Sequence, residues 1–346
     1  MRSLLGILGF VMLFLLACSP AATPASQPTG PGTLYVVNEV SESVSIIDTA
    51  TNTVTSTLKV GGRPQGIALS ADGKFLYVTQ GEPGTVAVVD TGSNQVVASI
   101  PVGKDPQAIA VSRDGRRGYV TNYESNDLTV LDLTARKPLA FIPVGTNPQA
   151  VALSFSGDTA YVVNLRSNSV SVVETASGRV KDTIPAGEGP CGIALTADGN
   201  YAYVGGHGGM GGMAASGGMS GASGKAATPN AGPNKDVRIL NLGTKQIDGA
   251  VSCGTMPIAV ALSSDAKAYV INHGSGEVSV VDTISRKVVD TIPVGKNPFG
   301  VALSNDGRRV YVSIRDENTV SIIDAGNRKI TATIPVGEGP RALALK

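Results

Sequence analysis

A tyrosine returns along this chain at a nearly constant interval. Tyr35, Tyr77, Tyr119, Tyr161, Tyr203, Tyr269 and Tyr311 stand 42 residues apart, except for one interval of 66 between Tyr203 and Tyr269. Each lies in a short apolar run: "LYVVN", "LYVTQ", "GYVTN", "AYVVN", "AYVGG", "AYVIN" or "VYVSI". A period near 40 residues marks an array of like supersecondary units, each too small to bury its own apolar face.

Each unit reads as four strands. "QGIALS" alternates small and large residues, "ADGK" supplies an Asp-Gly turn, and "FLYVT" follows. A polar loop leads to "TVAVVD", a turn leads to "QVVASIPVG", and a proline opens the next unit. Seven such units predict an all-β fold, a seven-bladed β-propeller of four-stranded blades. The chain has no tryptophan, which excludes WD repeats of the same period. A 42% hydrophobic content is too high for a disordered chain, and a net charge of +1 offers no footprint for nucleic acid.

The phase of the repeat predicts how the ring closes. The domain, residues 33–346, starts on the second strand of a blade at Thr33 and ends on a first strand at Lys346. The C-terminal strand is therefore expected to complete the first blade and remove the open sheet edge.

The run "YVTN", Tyr119 to Asn122, with "SVSIIDT" and "IPVG" around it, resembles the YVTN-repeat family of seven-bladed propellers. The resemblance covers about nine-tenths of the chain. It implies an extracytoplasmic binding or surface protein and names no reaction.

Residues 1–17 resemble a bacterial lipoprotein signal peptide. Arg2 precedes an apolar run from Leu4 to Leu16 that ends in "LLAC", with Cys18 as the lipidated N-terminus. A plain secretory signal cut near Ala22 to Ala25 is the alternative, and either reading places the mature protein outside the cytoplasm. Residues 18–32 are rich in Pro, Ala, Ser and Thr and read as a tether, spanning ~40 Å at ~3.1 Å per residue. The expectation is a lipid anchor in the bacterial cell envelope, facing the periplasm or the exterior. The membrane is then one partner. Another envelope protein or a small ligand on the propeller is the other, and no nucleic acid is expected.

Counting strands sorts the loops onto two faces. The Asp-Gly turns share one face, here the bottom; the loops after "YVTN" and the "IPVGxxP" crossings share the top. Bottom-turn Arg113, Arg116, Arg117, Arg136, Arg308 and Arg309 are matched by Asp72, Asp114, Asp198, Asp265 and Asp306, which reads as a mixed solvated face without interleaved aromatics. The strand-end acids Asp90, Asp132, Asp282 and Asp324 are expected to cap their own turns instead of binding calcium.

The long interval comes from an insertion at residues 205–235, in the top loop of the fifth blade, containing "VGGHGGMGGM". Beyond Cys18, the thiols, thioethers and imidazoles of the chain are Cys191, His207, Met210, Met213, Met219, Cys253, Met256 and His273. All fall at the top of blades five and six, and together they suit a soft ion, with Cu(I) the candidate cofactor. A tolerated glycine-rich loop expansion is the bland alternative. Cys253 replaces a valine of other repeats and reads as a small buried hydrophobe. Cys191 replaces Gln65, Gln107 and Gln149 and reads as polar-exposed at the channel mouth. An oxidising compartment permits a disulfide between Cys191 and Cys253, against which stands the distance from a strand near the axis to an outer strand.

No histidine, serine and carboxylate form a hydrolase arrangement, and neither CxxCH nor a dinucleotide loop occurs. The sequence thus points to a non-catalytic envelope binding protein or scaffold acting through its top face, with copper handling through the His/Met loop. A protein-interaction platform without metal is the alternative. A lactonase-like or dehydrogenase-associated enzyme is the weaker class.

Overall fold

The computed structural model describes residues 32–208 and 234–346. These form seven four-stranded antiparallel sheets, each built from strands that follow one another in sequence except at the point of closure. Blade three shows the pattern: inner strand Pro106–Val111, then Arg117–Asn122, Asp127–Asp132 and the outer strand Lys137–Pro143. The one helical element among the described residues is a 3₁₀ turn at Arg315–Glu317.

Burial explains why the middle strands carry unbroken apolar runs. In "RGYVTN" five consecutive residues are buried, because both faces of the strand lie against neighbouring blades. The outer strand "KPLAFIP" instead alternates exposed and half-buried residues, as a strand with one solvated face does. The core is accordingly divided among the seams. Tyr77, Val86 and Ile100 of blade two pack with Val120 and Leu131 of blade three, and each other seam has its own cluster of this kind. One repeat tyrosine enters almost every seam, and Tyr269 and Tyr311 are fully buried.

Closure occurs as the repeat phase predicts. The C-terminal strand Pro340–Leu345 is the inner strand of blade one and pairs with Thr33–Asn38, with Val36 opposite Leu343 and Tyr35 opposite Ala344.

The turn acids also act as expected. Asp90 Oδ1 accepts from the Gly92 and Ser93 amides at 3.0 and 2.8 Å, and Asp324 Oδ1 accepts from Gly326 and Asn327 at 2.9 and 2.8 Å. These bonds hold the Asp90 carboxyl below the usual carboxylate range. One bottom-face expectation is corrected. Phe155 is exposed in its turn, and the Arg113 guanidinium sits 3.7 Å above its ring, so an aromatic does stand among the arginines.

The boundary of the insertion shifts as well. The second strand of blade five runs Tyr201–Gly206, so Gly205 and Gly206 belong to the sheet, not to the loop. They pair with Gly192 and Pro190 of the inner strand, and position 205 admits only glycine because a Cβ there would lie 2.3 Å from the Pro257 carbonyl oxygen of the next blade. The lipoprotein signal, Cys18 and the tether to Pro31 lie outside the described residues, as do Met210, Met213 and Met219.

Candidate functional site

The inner strands begin at the top of the channel, and each begins the same way. A residue in the left-handed region precedes the strand's proline: Arg63, Asp105, Asn147, Gly189, Met256, Asn297 and Gly339, with φ between 47° and 67°. Asparagine and glycine adopt this conformation readily; methionine and arginine do so against a steric cost. The turn aims the residue after the proline at the channel mouth. Those residues are Gln65, Gln107, Gln149, Cys191, Ile258, Phe299 and Arg341, and they line a cavity of about 270 Å³ together with His207.

The mouth is therefore two-sided. Blades two to four present glutamine amides, whereas blades five to seven present a thiol, an isoleucine and a phenylalanine. Arg341, from the closing strand, stands between Phe299 and Gln65.

Arg341 lies within a continuous polar chain. Arg63 Nη2 donates to Asp105 Oδ1 at 2.6 Å, and Gln65 Nε2 donates to the same oxygen at 3.0 Å. Gln65 Oε1 in turn accepts from Arg341 Nη1 at 2.5 Å, and Arg341 Nη1 also donates to Glu39 Oε1 at 3.0 Å. The second Glu39 oxygen lies 2.7 Å from Arg315 Nη1. Burial pushes the Asp105 carboxyl above its ordinary pKa despite Arg63, and it pulls the Arg341 guanidinium below its own despite Glu39. Arginine stays charged regardless. The Arg341 guanidinium also lies 4.5 Å from the centre of the Phe299 ring, and His273 meets the same ring edge-on at 5.9 Å.

The predicted soft ligands separate into distinct environments. Cys191 is buried, 9% exposed, which corrects the expectation of an exposed polar mouth residue. Its place is explained by a repeated tie between blades. In blade two, Thr79 Oγ1 accepts from the Gly66 amide at 2.7 Å and donates to the Gln107 carbonyl of blade three at 3.2 Å. Ser313 does the same between Gly300 and Arg341, at 2.8 and 2.6 Å. Blade five has Gly205 at that strand position and no hydroxyl. There the Cys191 thiol supplies the donor, 3.5 Å from the Ile258 carbonyl of blade six. Burial pushes the Cys191 thiol up to about 12.

Cys253 packs half-buried beside the outer strands at the seam of blades five and six, less enclosed than the buried hydrophobe expected from its column. Burial raises its thiol to about 12 as well, and both cysteines are free. Met256 packs on the apolar seam of blades six and seven. His207 and His273 are joined through main-chain bonds: the Asn234 amide donates to the His207 carbonyl at 3.3 Å, Met256 to Asn234 at 2.8 Å, and His273 to Met256 at 2.9 Å. Burial lowers the His207 pKa to about 4, and it lowers that of His273 too. The structure thus brings Cys191 and His207 to the cavity and places Met256 and His273 behind its wall. Among the described residues no group of three or more His, Cys, Asp or Glu side chains could hold a metal.

Sequence reasoning missed Arg341 and Phe299. The usable signal was the residue after each crossing proline: in an array this regular, a column reading Gln, Gln, Gln, Cys, Ile, Phe, Arg marks where the repeat gives way.

Comparison with known proteins places the architecture. A family model for the cytochrome D1 heme domain, a seven-bladed propeller family, matches residues 29–167. The uncharacterized protein YncE of Salmonella typhi and its Salmonella typhimurium counterpart are each 40% identical over 53 residues, a match spanning 15% of this chain and 15% of theirs. Among solved structures, the hydrazine synthase of Kuenenia stuttgartiensis superposes with a TM-score of 0.75 at 24% identity, covering 85% of this chain and 92% of that one. The dihydro-heme d1 dehydrogenase NirN, in complex with DHE, superposes with a TM-score of 0.65 at 16% identity, covering 94% of this chain and 78% of its own. At these identities the likeness is one of fold.

Proposed function

We propose that this protein is a non-catalytic binding propeller of the cell envelope, anchored through Cys18, whose ligand enters the top mouth of the central channel. The observation that carries this reading is the cavity of about 270 Å³ at the point where the repeat loses its symmetry. Elsewhere the blades reuse the same residues for the same tasks. At the mouth they diverge in charge, size and polarity, as binding residues on a rigid scaffold do. The test is ligand-observed NMR with a small-molecule library, comparing the wild type with Gln107→Trp, which fills the mouth. Binders lost in the variant support the reading; binders that all survive it overturn it.

A soft metal ion is the second reading, favoured by His207. An imidazole with a pKa near 4 is neutral at physiological pH, the form that ligates, and it lines the cavity beside Cys191. Cu(I) uptake against a competing chelator checks this. Equal retention by the wild type and by His207→Ala removes His207 from any copper role.

A further inference from the structure

The lining of the channel mouth is lopsided in charge. Among the described residues that line the cavity, Arg341 is the one charged side chain and none is a carboxylate. The polar chain behind Arg341 does not balance it: three guanidiniums, of Arg63, Arg315 and Arg341, face two carboxylates, of Asp105 and Glu39. Glu124 and Asp316 add negative charge farther out, but both are exposed on the top loops, where solvent screens them. Arg63 and Arg315 are partly exposed as well, so the charge that faces the half-enclosed, partly apolar cavity is that of Arg341.

The guanidinium is also held ready. Both of its hydrogen bonds leave from Nη1, to Glu39 and Gln65, which occupy one end of a fork with five N–H donors. Its Nε is buried and closed to a ligand, so Nη2, which makes no hydrogen bond among the described residues, is the end that faces one. Glu39 and the Phe299 ring fix the plane from two sides, and His273 and Pro298 fix Phe299 in turn, His273 Nδ1 lying 3.1 Å from the Pro298 carbonyl oxygen. A planar, pre-oriented cation next to an apolar wall is the arrangement that suits a carboxylate with a hydrophobic body.

Resting on the reading of the mouth as the binding site, we propose that its ligand is a small monocarboxylate, with the carboxylate on Arg341 and the apolar body against Phe299 and Ile258. The glutamine amides of Gln107 and Gln149 face the ligand from the opposite arc and take any hydroxyl or carbonyl it carries. The cavity is slightly smaller than the ~300–1,000 Å³ of sites for drug-sized ligands, which restricts the occupant to a small molecule.

The full chain is titrated calorimetrically with acetate through octanoate and with benzoate, each beside its neutral amide. The carboxylates are expected to bind at least about tenfold tighter than the matching amides, with preference growing along the aliphatic series as apolar surface is buried. Arg341→Gln is expected to erase the carboxylate preference and to change amide binding less than about twofold, while Arg341→Lys keeps part of it. Because Arg341 lies on the closing strand, the amide comparison on the unaltered protein stands even if Arg341→Gln fails to fold. Amides that bind as well as carboxylates, with the same loss in Gln107→Trp, overturn the carboxylate proposal and leave the mouth as the site. If no compound of either kind binds, the carboxylate proposal falls alone; if all bind Gln107→Trp unchanged, both readings fall.

Discussion

Gly103 and Asn122 contend for one volume: a Cβ on Gly103 would lie 2.6 Å from Asn122 Cγ. The glycine belongs to the "IPVG" crossing and the asparagine to the "YVTN" strand of the following blade, so the two motifs are halves of a single contact. Asn122 Nδ2 is held there by Asp127 Oδ1 at 2.6 Å and Thr129 Oγ1 at 2.7 Å. The contact recurs as Gly145 with Asn164, Gly254 with Asn272, and Gly337 with Asn38.

Gly145→Ala should destabilise the protein by about 1–3 kcal/mol, as overpacking does. Asn164→Ala removes the obstruction along with its bonds to Ser169 and Ser171. The double variant should therefore lose less than the sum of the singles, with a coupling of at least about 0.5 kcal/mol in denaturant titrations. Strict additivity would contradict the shared volume.

Cys191 ties blade five to blade six. Cys191→Ala should cost about 1–2 kcal/mol, since the Ile258 carbonyl loses its donor, and Cys191→Ser should cost less. With the thiol at about 12, native protein at pH 8 holds almost no thiolate at this position, against an ordinary value of 9.0. Alkylation of Cys191 should thus accelerate sharply when denaturant unfolds the chain. Rapid labelling of the native protein would show the thiol to be open.

Both histidines of the chain are half-buried, and the loss of solvation lowers the pKa of each. For His207 the unfolded value of 6.5 exceeds the folded value of about 4, so between these pH values the unfolded state binds more protons. Stability is full above pH 6.5, falls as pH drops through that window, and levels off below pH 4 as far as this group is concerned. The loss is at most about 3–4 kcal/mol for a shift of this size, and smaller because solvent reaches part of the ring. His273 acts with the same sign. Urea midpoints measured across that window should decline in the wild type and stay flatter in a His207→Asn, His273→Asn double variant.

Deleting Arg341–Lys346 should abolish cooperative unfolding or soluble expression, because Thr33–Asn38 loses its inner partner along its length. A circular-dichroism melt identical to the full chain would show that the closing strand is dispensable.

Cys18→Ser should release the protein from sedimented membranes into the soluble fraction. Retention at high salt would eliminate the lipid anchor and favour another mode of attachment.

The large-scale fold was legible because it depends on counting. Tyrosine spacing set the blade number, and the phase at Thr33 and Lys346 set the closure. The mouth was less legible because its determinants are conformational. Nothing in the letters "TMP" says that Met256 adopts φ 55°, yet the repeat frame imposes this where other blades use arginine, aspartate, asparagine or glycine. Cys191 was misjudged for a related reason. Its column suggested a glutamine-like exposure, whereas its environment is decided fourteen residues later, where Gly205 has no hydroxyl for the tie that Thr79 and Ser313 make. Arg341 is not legible as a mouth residue in the sequence, since its partners Glu39 and Gln65 stand at the far end of the chain.

The pairing of Val36 with Leu343 has a temporal side. A chain emerging N-terminus first forms the outer three strands of blade one long before their inner strand exists. Until the last residues appear, the Thr33–Asn38 edge is an unsatisfied template, open to any extended segment, including the closing strand of another copy. Bringing such distant segments together is slow, because the loop-closure entropy is borne before the contact forms. Assembly should therefore end on one late, rate-limiting latch, and crowding many unfinished chains together should yield strand-exchanged dimers.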